Sequence, residues 1–200
     1  MTTGLFPSTY FGPISLYSQM QRCENVQIEQ WEHYKKQTYR NRCHILTANK
    51  VMDLIVPVAR PAEGIPMRDV RIAYQQDWQR LHWNAIESAY NTSPYFEYFA
   101  EDLLPFFEKK EVFLLDLNEK IRETVMSLMQ IKTEVRKTNS YVENPENTTD
   151  YRSAFNPKLA SNTGKPYYQV FDHKFGFVAD LSILDLLFNE GTEGILYLTE

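Results

Sequence analysis

Glycine is scarce in this chain: seven in 200 residues, at 4, 12, 64, 164, 176, 191 and 194, too scattered for a Gly-rich phosphate loop. No GxGxxG, Walker loop, GxSxG or HExxH occurs, which removes several large enzyme classes at once. Cysteine is scarcer still. Cys23 and Cys43 stand 20 residues apart with no CxxC pairing, a pattern that fits two reduced thiols better than a disulfide framework or a zinc site. No stretch approaches the roughly 20 apolar residues of a membrane-spanning helix. The opening Met1-Thr-Thr-Gly-Leu-Phe-Pro-Ser lacks the basic and apolar regions of a signal peptide, so the cytoplasm is the expected compartment. The sequons at Asn91 and Asn147 accordingly read as chance matches. A basic surplus is missing too: 21 Lys and Arg against 26 Asp and Glu give a net charge of -5, which argues against general nucleic-acid binding.

What the chain does have is aromatic mass: 13 Tyr, 12 Phe and 3 Trp make up a deficit of aliphatics. Such a composition excludes a disordered chain, and the length predicts a single domain over 1–200. Leu5 to Thr9 reads as a short buried strand, followed by a Gly12-Pro13 turn and a helix from Ile14 to Met20, the start of a βα unit. Val26 and Ile28 mark a second strand, His44–Ala48 and Val51–Val58 two more joined at Asn49-Lys50, and Val70 with Ile72 a further one. The middle is helical. Trp78, Leu81, Ala85 and Ala89 form one stripe; Phe96, Phe99, Leu103 and Phe107 form a second behind a Ser93 cap. Leu117, Ile121, Val125 and Leu128 form a third behind Asp116. Thr133 to Thr138 returns to strand. Residues 139–166 are rich in Asn, Ser, Thr and Pro and predict a long polar loop, either an ordered lid or a mobile linker. Tyr167 to Val178 alternates as a hairpin does, and Ser182 with Asp185 opens a helix that stops at Gly191. The predicted fold is α/β: a mixed central sheet with the helical middle segment packed on it.

The densest chemistry lies at Lys35-Lys-Gln-Thr-Tyr-Arg-Asn-Arg42, which packs four of the 21 basic residues into eight positions. Extended, Lys36, Arg40 and Arg42 share one face; helical, Lys36 and Arg40 do. Either geometry presents donors to a phosphate or carboxylate, and the alternative is a solvated face paired with the acidic surplus. Of the histidines at 33, 44, 82 and 173, none stands at metal-ligand spacing from another, so no metal is predicted. His33, beside the basic run, is the candidate general base. His82 is one turn from Trp78 and Ile86 and reads as a satisfied, half-buried imidazole. Asp150-Tyr-Arg152 and Asn156-Pro-Lys158 place charged groups in the long loop, where binding residues concentrate.

Several of these segments carry a resemblance. Ser8-Thr-Tyr-Phe-Gly-Pro13, the run from Glu32 to Ile45, Pro57-Val58, Ala89 to Phe96, Leu115-Asp-Leu-Asn118, Asp150-Tyr-Arg152 and Pro157-Lys158 together resemble the WbqC-like protein family, in its Bacteroidetes-type branch. The Gln37-Thr-Tyr-Arg-Asn-Arg42 run is the most specific part. Many relatives carry His-x-Pro-x-Tyr after the first strand; here Phe6-Pro-Ser-Thr-Tyr10 keeps the tyrosine and has no histidine. The resemblance implies a role in surface-polysaccharide biosynthesis of the O-antigen type, with glycine transfer inferred for the family at large. The expectation is a transferase with no resident cofactor, acting on an anionic small molecule or nucleotide-linked donor. Tyr10 lines the pocket, Lys36, Arg40 and Arg42 hold the anion, Gln37 and Asn41 orient it, and Arg152 and Lys158 close the loop over it. The rival is a non-catalytic anionic-metabolite-binding or scaffold protein using the same residues.

Overall fold

The computed structural model describes residues 2–143, 145–158 and 164–199. Its centre is a four-stranded, wholly parallel sheet in the order Glu134–Lys137 (β5), Asn25–Glu29 (β2), Thr3–Pro7 (β1), Thr148–Asp150 (β6). Strand β1 (Thr3–Pro7) is buried from Gly4 onward and leads through α1 (Ile14–Arg22) to β2 (Asn25–Glu29), the predicted βα unit completed by its second strand. The two pair in register from Thr3 with Asn25 to Pro7 with Glu29. Gly4 is required there: a Cβ would come within 2.5 Å of the Phe6 ring and 2.8 Å of Cys23 Sγ. Strand β3 (Arg42–Leu46) and β4 (Val51–Ile55) form a separate antiparallel hairpin, so the parallel and antiparallel pairings expected within one mixed sheet are divided between two.

The three helical segments are present as α2 (Trp78–Tyr90), α3 (Phe96–Leu103) with α4 (Pro105–Glu108), and α5 (Leu114–Leu128), but in α2 the expected Leu81 is 57% exposed and the buried face runs through Trp78, His82, Ile86 and Ala89 instead. The middle stripe breaks at Leu104, where Pro105 removes a backbone donor. Two caps lie elsewhere than predicted. Ser93 Oγ donates to the Tyr90 carbonyl at 2.6 Å, closing α2 instead of opening α3. Helix α5 begins two residues before Asp116 because Leu114 and Leu115 are pulled into the core; Asp116 sits exposed in its first turn, where a negative charge favours the helix dipole.

After α5 the chain enters β5 (Glu134–Lys137) and, inside the predicted loop, β6 (Thr148–Asp150), which pairs with β1 from Thr3↔Thr148 to Leu5↔Asp150. Positions 144 and 159–163 of that loop lie outside the described residues. Around Val70 there is no strand: a single 3-10 turn over Met67–Asp69 precedes an isolated bridge from Ile72 to Val58. Pro57, which accepts from the Ala73 amide, has no N–H to return, so that pairing does not propagate. Nor is Tyr167–Val178 a hairpin. It folds as a turn with α6 (Asp172–Phe175), and the Gln169 side chain takes the place of a strand partner, donating to the Val178 carbonyl and accepting from its amide at 2.9 Å each.

Helix α7 (Ile183–Glu190), capped by Ser182 and ended by Gly191, is buried on every side through Asn189, and α8 (Ile195–Leu198) closes the described chain. One hydrophobic cluster joins β1, β2, the hairpin and helices α1 to α5, α7 and α8. Among the described residues no helix is long and apolar enough to cross a membrane.

Candidate functional site

In parallel sheets, ligands favour the crevice beyond the carboxyl ends of the strands. Here the residues leaving that edge are Ser8 after β1, Gln30 after β2, Thr138 after β5 and Tyr151 after β6. The chain from Gln30 to Tyr34 is held against 65–68 by backbone bonds: Met67 N to Glu32 O at 2.8 Å, Arg68 N to Gln30 O at 3.0 Å and Tyr34 N to Ile65 O at 2.9 Å. So anchored, residues 31–42 form a wall with a cavity on each face.

The first cavity, about 500 Å³, lies at the carboxyl edge and is lined by Trp31, Glu32, His33 and Lys35 on one side and Tyr141, Asp150, Arg152 and Ser153 on the other. Its centre is a buried ion-pair network. Glu32, 4% exposed, accepts from Arg40 Nε at 2.9 Å and Nη2 at 2.5 Å, both on Oε1. Its Oε2 has Lys35 Nζ at 4.0 Å and no hydrogen bond. Burial pushes the Glu32 carboxyl above the usual range, and the Arg40 and Lys35 charges only partly offset it. Arg40 also donates to the Arg152 carbonyl at 3.1 Å, and its own carbonyl accepts from Asn118 at 2.9 Å. Arg152 forks onto Asp150, with Nε 3.0 Å from Oδ1 and Nη2 2.7 Å from Oδ2, and reaches the Val142 carbonyl at 2.7 Å. This fork depresses the Asp150 carboxyl and raises the guanidinium. Behind them, Glu29 is fully buried and accepts from Trp31 N, Thr138 Oγ1 and Val142 N.

The second cavity, about 740 Å³, lies on the hairpin side. Lys36, Gln37, Asn41, Arg42 and Arg60 meet an apolar wall of Val56, Pro57 and Val58, with Glu63 at the rim. Lys36 and Glu63 form an exposed pair at 2.7 Å. Asn41, 5% exposed, donates to the Val56 carbonyl at 2.8 Å, while its Oδ1 is buried with no partner. Arg42 contacts Asp53 at 3.4 Å through Nη1, and its Nε is likewise buried and unpartnered. Such atoms cost about 1–3 kcal/mol each when left unmade, and they sit on residues lining a cation-rich hollow.

The candidate residues from the sequence therefore do not converge on one pocket. His33 and Arg152 line the carboxyl-edge cavity; Lys36, Gln37, Asn41 and Arg42 line the other; Arg40 is buried in the wall between them. Arg152 is pinned by Asp150 and Val142 and is not an arm free to close. Lys158 is exposed and lines neither cavity. Tyr10, expected at a pocket wall, is 1% exposed in the core, because the turn after β1 is roofed by α7: Ser182 Oγ donates to the Phe11 carbonyl at 2.8 Å and Ile183 N to Gly12 O at 3.0 Å. The Tyr10 hydroxyl meets His82 Nδ1 at 3.0 Å. His82 is the satisfied imidazole expected, though 6% exposed, and burial lowers its pKa to about 4. Sequence reasoning missed Glu32: its partner Arg40 is eight positions away across a segment that is neither helix nor strand, so no periodic pattern places the two together. Among the described residues no cluster of three His, Cys, Asp or Glu side chains is placed to hold a metal ion.

Both cavities lie within the stretch, residues 8–163, that matches the family model described as the WbqC-like protein family. The uncharacterized protein Rv1507c of Mycobacterium tuberculosis is 27% identical over 195 residues, covering 82% of this chain and 83% of that relative. No solved structure matches the chain.

Proposed function

Because the chain belongs to the WbqC-like protein family, we propose that it is a cytoplasmic transferase of bacterial surface-polysaccharide biosynthesis, of the O-antigen type, which takes an activated donor by its anionic part. The observation that carries the reading is the hairpin-side cavity: three cations against one rim carboxylate, with a buried donor on Arg42 and a buried acceptor on Asn41 left unpaired. Lys36 and Arg42 hold the phosphates or carboxylate, Gln37 and Asn41 orient the donor, and Arg40 acts as a positioning residue through the wall. Cations fixed in advance stabilise developing negative charge without reorganisation. His33, which lines the carboxyl-edge cavity on the opposite face of the wall from Lys36 and Arg42, is the candidate proton acceptor of this reading, and the group moved is glycyl, another aminoacyl or a sugar. Membership of the Bacteroidetes-type branch belongs to the same proposal and rests on the Gln37–Arg42 run with Ala89–Phe96.

A second reading, a non-catalytic anionic-metabolite-binding or scaffold protein, draws on one observation. The carboxylate lining the basic cavity, Glu63, is exposed and tied to Lys36, and no imidazole or thiol lines that cavity. Titration with nucleotide sugars and aminoacyl donors, followed by mass spectrometry, separates the two. A product supports the transferase; saturable binding without product across the panel sinks it and leaves the binding protein.

A further inference from the structure

The carboxyl-edge cavity has no ligand in that reading, yet it is as well built as the basic one. We infer that it binds an uncharged, hydroxyl-bearing ring, a sugar unit, with the open oxygen of Glu32 accepting one of its hydroxyls and Trp31 and Tyr141 packing against its apolar face. Of the charges lining the cavity, Asp150 pairs with Arg152, and Glu32 pairs with Arg40 buried in the wall behind it. The remaining lining charge, Lys35, lies 4.0 Å from the open Glu32 oxygen. The lining charges, Glu32 and Asp150 against Lys35 and Arg152, sum to zero, so neither an anion nor a cation gains a net attraction from the cavity. A hydroxyl needs none, because it donates to one group and accepts from the next.

Glu32 supplies the acceptor. The side chain is 4% exposed, with one oxygen bonded twice by Arg40 and the other open to the cavity, so a ligand O–H bonds there in place of water. Two bonds from one guanidinium fix its orientation before the ligand arrives, which lowers the entropic cost of binding. Lys35 and Ser153, on opposite sides of the cavity, supply donors. Trp31 is locked by its Nε1 bond to the Thr138 carbonyl at 3.1 Å and by Arg68 stacked 4.2 Å from its ring centre. Tyr141 is held by Arg152 at 5.4 Å. Rigid aromatic surface beside a few fixed polar groups is the usual make-up of a small-ligand site, and about 500 Å³ accommodates one ring with its substituents. The inference stands on this cavity alone and does not require an anion in the other.

The test is ligand-observed NMR and isothermal titration of the full chain with D-glucose, D-galactose and N-acetyl-D-glucosamine, with glucuronate and glucosamine as charged counterparts. At least one neutral sugar is expected to bind with Kd about 1 mM, and about tenfold more tightly than either charged counterpart. Tyr141→Ala, at an exposed position, weakens it about fivefold. Glu32→Gln turns its oxygen to Arg40 and presents an amide donor to the cavity, weakening binding about tenfold. Tyr98→Ala, a remote exposed aromatic, leaves binding unchanged. Should Glu32→Gln fail to fold, Tyr141→Ala and Ser153→Ala decide. The inference is overturned if no neutral sugar binds, if a charged counterpart binds better, or if the folded variants bind as the parent does. Loss of nucleotide binding in the separate anion titration bears on the basic cavity and leaves this result untouched.

Discussion

The two faces of the 31–42 wall are made from one short segment and are chemically opposite. Trp31, Glu32, His33 and Lys35 turn to the carboxyl edge, where nearly every charge is matched; Tyr34, Lys36, Gln37, Asn41 and Arg42 turn to the hairpin, where cations outnumber acids and two buried atoms are unpaired. Adjacent residues thus face chemically different surroundings. The difference teaches that a basic run cannot be valued by counting: of the four cations at 35–42, Arg40 is consumed by the fold, Lys35 hangs over a carboxylate, and Lys36 and Arg42 are left facing the basic cavity.

The strongest way to break the comparison is to breach the wall. Arg40→Ala leaves Glu32 buried without its counter-charge and is expected to cost about 3–5 kcal/mol in urea denaturation, with both cavities losing their ligands. A near-native urea midpoint in that variant shows that the pair is not what separates the two faces. Acid tests one face. His82 is bonded to the Ile55 backbone, and Ile55 lines the basic cavity. Its folded pKa of about 4 lies below the unfolded value of about 6.5, so the unfolded chain binds the proton first as pH falls. The stabilisation present above pH about 6.5 is therefore lost toward pH about 4, by at most about 3 kcal/mol. Urea midpoints measured across that window should fall, and His82→Gln should flatten the slope.

Smaller changes sharpen the basic face alone. Arg42→Ala is expected to weaken binding of the nucleotide-linked donor about tenfold while shifting stability by no more than about 1 kcal/mol, since its partner Asp53 is 44% exposed. Unfolding of that variant makes Arg42 a structural residue and removes it from the site. Lys36→Ala, at the exposed pair with Glu63, should weaken the same donor about twofold at low salt and not at all at about 1 M salt, with no change in urea midpoint.

The elements whose side chains repeat with a strong period were readable in the sequence. The stripe of α5, the Ser182 cap with its bond from Leu184 N, and the Gly191 stop all follow from local chemistry. Strand β6 was not readable because Thr148-Thr-Asp150 is a three-residue polar edge whose partner is β1, more than 140 positions away. The Gln169 side chain imitating a strand is equally invisible to alternation. For the site, the lining of Lys36, Gln37, Asn41 and Arg42 shares a cavity as their motif suggested; Tyr10 does not, since burial of the turn after β1 depends on α7 folding over it from the far end of the chain. The division into two cavities has no one-dimensional signature, because it is set by backbone bonds between 30–34 and 65–68.

The Glu32–Arg40 pair has a consequence for how this sequence can change over time. Exchange of either member alone leaves a buried charge without its bidentate counter-charge, with only Lys35 at 4.0 Å from Glu32 or the Arg152 carbonyl beside Arg40 to meet it, so single substitutions at either position are costly intermediate steps. A lineage reaches a different pair, apolar or charge-reversed, only by a double replacement, and the two positions are therefore expected to vary together.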